Sequence, residues 1–490
     1  MIRNLLCLSF SILIIITLEA QRSDKRGLGY GHHSIKDLET LSTGVSWWYN
    51  WYHLPDEKVR EIYTDFDVEF VPMTWNGSYD KEGLQGFLTS KDSTRYLLGF
   101  NEPNFIDQAN MTPTEAASKW PELEALAQQY QLELISPAVN YCGNCVSEGG
   151  VTYYDPVDYL DDFFEACENC RVDFIAIHYY GCGGLQSYLD RFKKYDRPLW
   201  VTEFACWDQD NISLDMQKSY LINAVDILEN DPSVVKYAWF TGRGSGPGIS
   251  LLSTDGKLTE LGELYVNMPV HDTLVYFPIP GRLEAENYQR MDGIQLELTQ
   301  DEDGLINVGY IDAGDYLEYQ ISVPEDHRYT FDLRYAGYSG TFGLFLNNDQ
   351  VRQISLPSTD GWQNWQTYES EITLQKGDHT IRFEVLNGGF NLNWIEIFNE
   401  RTIILDTNDR EFNFFPNPVD NLLKVEVGST HHGADFKFDL FDLLGRKVLQ
   451  LNSRVAKDQI SIDFSSVAPG IYLAHFSYGG LSQIRKLIVQ

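Results

Sequence analysis

Between residues 27 and 268 the sequence alternates short, continuous apolar runs with stretches of helical periodicity. Continuous apolar runs are typical of strands that are buried on both faces, as in a parallel sheet. Such alternation over about 240 residues has the size and rhythm of a (β/α)8 barrel. Seven candidate strands can be counted, and we place the missing one within Ser78–Leu88. The seven runs are Val45–Trp51, Val68–Trp75, Tyr96–Asn101, Leu132–Pro137, Val172–Tyr179, Pro198–Phe204 and Val235–Phe240.

One helix in this region has a clear predicted start. Thr112 and Glu115 are spaced as a capping box, and Pro113 stands at the first helical position. A threonine at the cap and a glutamate three residues later satisfy each other's backbone amides. We therefore expect a helix to begin at Pro113.

The pattern changes after Pro269. Up to Phe398 apolar and polar residues alternate, turn signals are frequent, and helical periodicity is almost absent, which indicates a β-sandwich. A polar linker follows, and residues 412–490 alternate again. With 490 residues, the chain is longer than one core usually serves. We expect a multidomain protein, with a (β/α)8 barrel at 27–268, a β jelly-roll sandwich at 281–398 and a small β-sandwich at 412–490.

The N-terminus predicts export. Arg3 supplies a positive charge, an apolar run covers Leu5–Leu18, and Ala20 closes it. This pattern is that of a signal peptide at residues 1–20, since the run is too short to span a bilayer. No later segment is long and apolar enough to be transmembrane.

Six cysteines remain once the signal peptide is removed, and an even number in an exported chain favours disulfides. Zinc binding by the two Cys-x-x-Cys pairs is the alternative. We predict that Cys182 pairs with Cys206, because they follow neighbouring strands, and that the two Cys-x-x-Cys motifs pair with each other. The six are Cys142, Cys145, Cys167, Cys170, Cys182 and Cys206.

The net charge is -34, and aromatic residues make up 14% of the chain. A strongly acidic chain is repelled by nucleic acid and by anionic membrane surfaces, so we expect neither as a partner. The charge is compatible with a neutral substrate. Exposed aromatic rings would pack against a neutral substrate that presents C–H faces, such as a sugar.

Two glutamates each end a predicted strand. Glu102 follows Phe100-Asn101, and Glu203 follows Val201-Thr202. In a (β/α)8 barrel the carboxyl ends of the strands point into the active site. Glycoside cleavage uses two carboxyl groups, one that protonates the leaving oxygen and one that attacks or activates water. The alternative is that both glutamates cap the following helices.

Four aromatic or acidic motifs stand in this region: Gly99-Phe100-Asn101-Glu102-Pro103-Asn104, Ser46-Trp47-Trp48-Tyr49-Asn50-Trp51, His178-Tyr179-Tyr180-Gly181 and Trp200-Val201-Thr202-Glu203-Phe204. Together they resemble glycoside hydrolase family 128. The resemblance implies a retaining β-1,3-glucanase that needs no cofactor for catalysis. It also implies that Glu102 is the general acid/base and Glu203 the nucleophile, on strands four and seven.

Other residues are candidates for supporting roles. Asn101 would bond the substrate 2-hydroxyl or hold Glu203, and Tyr179 or His178 would orient the nucleophile. Tryptophans at or near strand ends could stack on pyranose rings, and we expect two or three of them to do so. The candidates are Trp48, Trp51, Trp75, Trp207 and Trp239.

The middle domain resembles carbohydrate-binding module family 6. Glu284 and Glu286 are two apart on a predicted strand, so they share a face, and calcium is the usual ion that bridges such carboxylates. The motifs around Tyr310-Ile311-Asp312, Gly361-Trp362-Gln363-Asn364-Trp365 and Phe390-Asn391-Leu392-Asn393-Trp394 complete the resemblance. It implies a sugar cleft made by Tyr310, Trp362 (or Trp365) and Asn391, and a structural calcium with Glu284, Glu286 and Asn393 as candidate ligands.

The last block contains the motifs Phe415-Pro416-Asn417-Pro418, Asp442-Leu443-Leu444-Gly445-Arg446 and Ala468-Pro469-Gly470-Ile471-Tyr472. With them it resembles the C-terminal sorting domain of the type IX secretion system of Bacteroidota. The resemblance implies export through the periplasm to the cell surface or medium, with the secretion machinery as a partner.

The leading hypothesis is a monomeric, secreted endo-β-1,3-glucanase. A second hypothesis keeps the barrel and changes the substrate to mixed-linkage glucan, xylan or mannan. A third, of a different class, is a non-catalytic surface glycan-binding protein. Both glutamates being present speaks against the third hypothesis.

Overall fold

The computed structural model describes residues 22–90, 94–246, 248–302, 304–399, 414–426, 435–441, 447–454, 459–478 and 481–490. The chain forms two compact units, Met1–Asn399 and Glu400–Gln490. The predicted signal peptide at 1–20, nearly all of the predicted linker and the motif at 442–446 lie outside the described residues. Within those ranges, every helix is too short or too polar to cross a bilayer.

Parallel strands organise the first part of the larger unit. A six-stranded parallel sheet has the order β3-β2-β1-β8-β7-β6, and β4 pairs with β5 in a separate parallel pair. The expected parallel architecture is therefore seen in part. The strands are β1 Arg26–Gly29, β2 Trp47–Tyr49, β3 Glu69–Phe70, β4 Tyr96–Leu98, β5 Glu133–Ile135, β6 Ile175–Tyr179, β7 Leu199–Phe204 and β8 Val234–Phe240.

The prediction of a strand within Ser78–Leu88 is wrong, because a helix occupies Lys81–Ser90. The strand that the sequence analysis missed is β1. Its four residues include only one large apolar side chain, yet all four are buried. Arg26 is tolerated there because its guanidinium lies 3.1 Å from the buried Glu229 carboxylate.

Within the described residues, six α-helices lie between these strands and a seventh follows β8. The predicted start at Pro113 is confirmed, since Thr112 accepts from the amide of Glu115 and the Glu115 carboxylate accepts from the amide of Thr112. The helices are α1 Ile35–Leu41, α2 Lys81–Ser90, α3 Pro113–Tyr130, α4 Pro156–Ala166, α5 Leu185–Phe192, α6 Leu214–Asn230 and α7 Glu260–Asn267.

Side chains of the parallel strands alternate between two cores. On β2, Trp47 and Tyr49 belong to a compact cluster that also contains Trp200 of β7, whereas Trp48 packs into the larger core. This alternation follows from the two-residue period of a strand. The same alternation determines which residues near a strand end lie on the same face as Glu203 and which lie on the opposite face.

Residues 277–399 form a β-sandwich of two six-stranded sheets, as expected. One sheet has the order β9-β14-β19-β16-β17, with β11 also on β14. The other has the order β12-β13-β20-β15-β18, with β10 also on β20. The strands are β9 Phe277–Pro278, β10 Gly281–Glu284, β11 Arg290–Asp292, β12 Gln295–Leu298, β13 Ile306–Gly309, β14 Tyr316–Val323, β15 His327–Gly337, β16 Gly340–Leu346, β17 Asp349–Leu356, β18 Gly361–Leu374, β19 Gly377–Asn387 and β20 Phe390–Asn399.

The sandwich is packed directly on helix α6. Tyr288 of the sandwich is fully buried, and its hydroxyl donates to the Asp226 carboxylate of α6 at 2.6 Å. The ring of His271 stacks on Tyr288 at 4.0 Å, and strand β12 lies against α6. Buried residues of both parts belong to one continuous apolar core.

The smaller unit is a separate β structure. A three-stranded sheet has the order β21-β22-β25 and a four-stranded sheet the order β24-β23-β26-β27. Apolar side chains such as Phe438, Phe464 and Phe476 form its core. The strands are β21 Phe414–Phe415, β22 Leu422–Glu426, β23 Asp435–Phe441, β24 Lys447–Arg454, β25 Gln459–Asp463, β26 Gly470–Tyr478 and β27 Leu481–Val489.

Candidate active site

Glu102 and Glu203 come together at the carboxyl ends of β4 and β7, with His178 of β6 beside them. One carboxylate oxygen of each glutamate and one ring nitrogen of His178 all lie within 4.8 Å of one another. All three side chains are buried. Among the residues that the structure describes, no other group of three or more histidine, cysteine or acidic side chains is this close.

Glu203 is held by donors from two segments, the end of β2 and the end of β6. Trp51 Nε1 donates to its Oε1 at 2.7 Å, and the Tyr49 hydroxyl lies 2.9 Å from the same oxygen. The Tyr180 hydroxyl donates to Oε2. Trp51 has a φ of 59°, a left-handed conformation that is rare for a large side chain. Backbone strain of this kind persists where the surrounding structure fixes it, often at a functional site.

Glu102 is held by fewer groups. His178 Nδ1 lies 2.9 Å from its Oε1, and Asn140 Nδ2 donates to the same oxygen at 3.2 Å. Glu102 itself has a φ of 42°, so its backbone is also left-handed. The two carboxylates therefore share His178, whose Nδ1 also lies 3.3 Å from Glu203 Oε2.

Burial dominates the electrostatics of the site. Burial raises the pKa of Glu203. His178 lowers that pKa, the Glu102 carboxylate raises it further, and the hydrogen bonds from Tyr180 and Trp51 lower it. For His178, burial would lower the pKa, but the two carboxylates outweigh it and raise the pKa. Burial and the Glu203 carboxylate raise the pKa of Tyr180, which keeps its hydroxyl protonated as a donor.

The hydroxyls that contact the nucleophile candidate belong to Tyr49 and Tyr180, and the predicted Tyr179 is not among them. Tyr179 instead donates to the carbonyl of Gly183. The alternative candidate His178 does lie at the site. A sequence signal for Tyr180 exists, because it is two residues from His178 and residues two apart in extended chain share a face.

Asn101 is buried next to Glu102, but its amide nitrogen lies 3.4 Å from Gln108 Oε1. Its amide oxygen has no hydrogen-bond partner within the described ranges. Of the two predicted roles, these contacts favour a bond to the substrate 2-hydroxyl over holding Glu203.

Two of the five candidate tryptophans are core residues. Trp48 packs against Tyr63 and Phe70, and Trp239 is fully buried, with its Nε1 donating to the carbonyl of Ile249. Both predictions of a subsite wall are wrong, because these side chains alternate away from the face that carries Glu203.

The other three tryptophans are more accessible. Trp75 is partly buried against the interior cluster. Trp51 and Trp207 line a cavity of about 520 Å3, together with Tyr52, Phe240 and Arg243 among others. Trp51 connects this cavity to the carboxylate pair, because it lines the cavity and its Nε1 donates to Glu203. Tyr49, Asn140, Tyr180 and Phe240 were missed by the sequence reasoning.

Disulfides join all six of these cysteines, but only one pairing is the predicted one. The pairing of Cys182 with Cys206 is confirmed. The other four pair within their own motifs, Cys142 with Cys145 and Cys167 with Cys170, so the predicted pairing between motifs is wrong. In both motifs the two Cα atoms are 5.6 Å apart, within the normal range for a disulfide.

Two of the three predicted sugar-binding residues of the sandwich, Trp362 and Asn391, are in direct contact. Tyr310 is 61% and Trp362 48% exposed, and Asn391 Nδ2 lies 2.9 Å from the carbonyl of Trp362. Asn391 also donates to Glu297 Oε1 at 2.7 Å, and Tyr338 packs edge-on against Trp362 at 5.3 Å. Glu297 and Tyr338 were not found from the sequence, since neither lies in the motifs that carry the family resemblance.

The candidate calcium ligands lie on neighbouring strands, since the Ala285 N–H donates to the carbonyl of Asn393 at 2.9 Å. Glu286 is buried, and its Oε2 has no hydrogen-bond partner among the described residues. Burial raises the pKa of Glu286 well above its usual value, with Glu284 adding to the rise. An orphaned buried carboxylate beside a second one fits a bound cation. Asn393 instead donates to Asp301 Oδ2 at 2.8 Å.

Three segments match known protein families. Residues 27–265 match the family described as glycosyl hydrolase catalytic core. Residues 284–399 match carbohydrate binding module (family 6), and residues 413–490 match the secretion system C-terminal sorting domain.

Solved structures and curated proteins are also similar to parts of this chain. A family 128 (subgroup II) endo-β-1,3-glucanase of Sorangium cellulosum is 47% identical, with coverage of 51% of this chain and 100% of that chain and a TM-score of 0.46. The corresponding enzyme of Pseudomonas viridiflava is 42% identical, with coverage of 51% and 100% and a TM-score of 0.47.

Alkali-sensitive linkage protein 1 of Schizosaccharomyces pombe is 31% identical over 263 residues, which are 50% of this chain and 45% of that protein. The chain spans less than half the length of the curated relatives that it matches.

Proposed function

The chain belongs to glycoside hydrolase family 128, and we propose that it cleaves β-1,3-glucan within the chain with retention of configuration. One observation carries the proposal: two buried carboxylates approach within 4.8 Å at the ends of parallel strands. Retaining glycosidases hold their carboxyl groups about 5–5.5 Å apart, whereas inverting ones leave about 6.5–9.5 Å for a water molecule. The separation supports retention.

In the first step Glu203 attacks C1 of the glucosyl unit, and the bond from C1 to the leaving oxygen breaks. Tyr49, Trp51 and Tyr180 hold the Glu203 carboxylate in place and favour its ionised form. Glu102 gives its proton to the leaving oxygen. Its carboxyl has fewer donors than Glu203, which suits a group that must change protonation during the cycle.

In the second step Glu102 removes a proton from water, and the water oxygen attacks C1 as the bond to Glu203 breaks. His178 lies between the two carboxylates and has a raised pKa. A proton on His178 lessens the repulsion between the carboxylates when both are ionised. We propose that Asn101 bonds a substrate hydroxyl such as the 2-hydroxyl, since its buried amide oxygen has no partner among the described residues.

We also infer that the eight parallel strands close into a (β/α)8 barrel. The ladders leave two gaps, and isolated parallel bridges span both of them. Met73–Leu98 links the β3 side to β4, and Ile135–Phe174 links β5 to the β6 side. In this arrangement Glu102 follows strand four and Glu203 lies on strand seven, where the carboxyl ends converge.

The substrate can be tested with purified protein and a panel of β-1,3-glucan, mixed-linkage glucan, xylan and mannan. We expect turnover on β-1,3-glucan, with oligosaccharides of several lengths among the early products. Release of one product length from the start would contradict endo action. Preference for xylan or mannan would contradict the substrate, and inactivity on the whole panel would favour a non-catalytic glycan-binding protein.

The sandwich is proposed to bind the same glucan through Tyr310, Trp362 and Asn391. Exposed aromatic rings offer apolar faces to pyranose C–H groups, and Asn391, which donates to the carbonyl of Trp362, holds the segment that carries that ring. In an inactive Glu203→Gln background, Trp362→Ala should weaken binding of a soluble glucan. Trp365→Ala is the matched control, and a larger loss in that variant would reassign the stacking ring.

We propose the same domain limits as from the sequence, which are 1–20, 27–268, 281–398 and 412–490. We also propose that the protein is a monomer and lies at the cell surface or in the medium. Residues 413–490 match a sorting domain, which supports recognition by the type IX secretion machinery of a Bacteroidota-like host. Intact mass of the secreted protein tests this role. A mature form that still ends at Gln490 would contradict removal of the tail on export.

A further inference from the structure

Tyr141 lies beside the proposed acid/base. It directly follows Asn140, whose amide nitrogen donates to Glu102 Oε1 at 3.2 Å. The amide oxygen of Asn140 accepts from the backbone N–H of Tyr141 at 2.8 Å. One side-chain amide therefore separates the backbone of Tyr141 from the Glu102 carboxylate. Since the acid/base protonates the leaving oxygen, the leaving part of the substrate must lie on this side of the site.

The ring of Tyr141 is exposed and yet held in place. About half of the residue, 49%, is accessible to solvent. The guanidinium of Arg191 lies 5.7 Å from the ring centre and donates to the phenolic oxygen, while Arg191 is itself held by Asp155 at 2.8 Å. Tyr188 packs against the ring at 5.4 Å.

The segment that carries Tyr141 is anchored on both sides. Asn104 Nδ2 donates to the carbonyl of Asn140 at 2.8 Å. On the other side the disulfide between Cys142 and Cys145 closes the loop, and Cys142 N–H donates to the carbonyl of Tyr154 at 3.0 Å. An aromatic ring that is already ordered loses little entropy when a ligand packs on it.

We propose that Tyr141 is the stacking platform for the glucosyl unit on the leaving-group side of the scissile bond. The inference rests on the proposed function and deepens it, because it assigns a ring that contacts neither carboxylate. The same platform holds an acceptor sugar after the first step. In that transfer the bond from C1 to the Glu203 oxygen breaks, a bond from C1 to the acceptor hydroxyl oxygen forms, and the hydroxyl proton passes to Glu102.

Two substrates separate this role from a general loss of activity. Laminaripentaose leaves a sugar on the Tyr141 side, whereas β-laminaribiosyl fluoride leaves only fluoride. In the full chain, Tyr141→Ala should lower kcat/KM on laminaripentaose by about tenfold, the loss of one good stacking contact. Fluoride release should stay at the wild-type rate, and the fraction of transfer products should fall.

Two variants serve as controls. Tyr141→Phe keeps the ring and should retain most activity on laminaripentaose. Tyr154→Ala removes an exposed tyrosine of the same loop that has no ring contact among the described residues, and it should behave as wild type. Equal losses on both substrates, no loss on either, or an equal loss in Tyr141→Phe and Tyr141→Ala would overturn the inference. A wild-type protein that cleaves neither substrate would overturn the proposed function, and this inference with it.

Discussion

At the scale of residues, the two carboxylates differ in what surrounds them. Glu203 accepts from Trp51 and Tyr180 and lies close to Tyr49, whereas Glu102 contacts Asn140 and His178. Donors stabilise the charged form of a carboxyl group. Burial raises the pKa of Glu203, but its donors oppose that rise and hold the carboxylate in place, which supports Glu203 as the nucleophile and Glu102 as the group that exchanges a proton.

Removal of either carboxyl group should abolish most turnover. We expect Glu203→Ala and Glu102→Ala each to lose at least about 10³-fold in kcat on β-1,3-glucan. Azide should rescue Glu203→Ala, because the small anion fills the space of the carboxylate and attacks C1 from the same side. NMR of the product should show a glycosyl azide of inverted configuration. Wild-type turnover in both variants would place the active site elsewhere.

Tyr180→Phe should alter the pH profile as well as the rate. Tyr180 lowers the pKa of Glu203 by donating to it. Loss of the donor therefore raises the pKa of Glu203, and the acidic limb of kcat/KM should move to higher pH. We expect kcat to fall by about tenfold to a hundredfold, the value of one hydrogen bond to a charged group. Tyr179→Phe is the matched control, since its hydroxyl bonds Gly183, and an equal shift there would contradict the assignment.

At the scale of elements, the loops that follow the strands carry most of the site and are tied down locally. The Cys182–Cys206 bond joins the segment after β6 to the segment after β7. Each Cys-x-x-Cys bond closes a short segment at one loop or helix end. A bond between distant segments restricts the unfolded chain more than a local one does.

The three disulfides should be found as the structure pairs them. Peptide mapping without reduction should give Cys182–Cys206 as the one linkage between two peptides. Serine replacement of that pair should cost about 3 kcal/mol of unfolding free energy, against about 2 kcal/mol for Cys167 and Cys170, since the closed loop is longer. Urea unfolding measures both. Cross-linked Cys142 and Cys167 peptides, or stoichiometric zinc, would contradict the assignment.

Strand β10 and the segment after it carry the proposed calcium site. Removal of a cation would leave Glu286 buried beside Glu284 with an unpartnered oxygen. A chelator should therefore lower the Tm of the protein, and added calcium should restore it. In Glu286→Gln the chelator should have little further effect, because one charged ligand is already lost. A wild-type Tm that does not respond to chelator would argue for a metal-free site.

At the scale of the whole molecule, the sandwich is fixed on α6 of the first domain rather than tethered to it. Tyr288 is buried between His271 and Asp226, and β9 pairs with β14, so the connecting segment is itself part of the sandwich. A continuous apolar core runs through both parts. We expect residues 22–399 to behave as one rigid body in solution.

This joint predicts cooperative unfolding. Calorimetry of residues 22–399 should give a single transition. Tyr288→Phe should destabilise the protein by about 1–3 kcal/mol, because it leaves the Asp226 carboxylate with one donor fewer in a buried place. Tyr276→Phe is the control, since its exposed hydroxyl has no partner within the described ranges. Two separate transitions in the wild type would contradict a rigid joint.

The sequence by itself determined the parts of this protein that depend on local pattern. Alternating apolar runs gave the parallel strands, the Thr112–Glu115 spacing gave a helix start, and strand-end position singled out Glu102 and Glu203. Each of these follows from the period of a strand, the hydrogen bonds of a cap or the direction of parallel strands. None requires knowledge of a distant contact.

Only the tertiary structure decided which faces and which partners meet. It placed Trp48 in the core and Trp51 on Glu203, and it put Tyr180 rather than Tyr179 at the site. The two-residue period of a strand shows which neighbouring side chains share a face. Only the fold determines which of the two faces lines the site. Contacts between residues far apart in sequence, such as His178 with Glu102, depend on the packing of whole strands, and no local pattern records them.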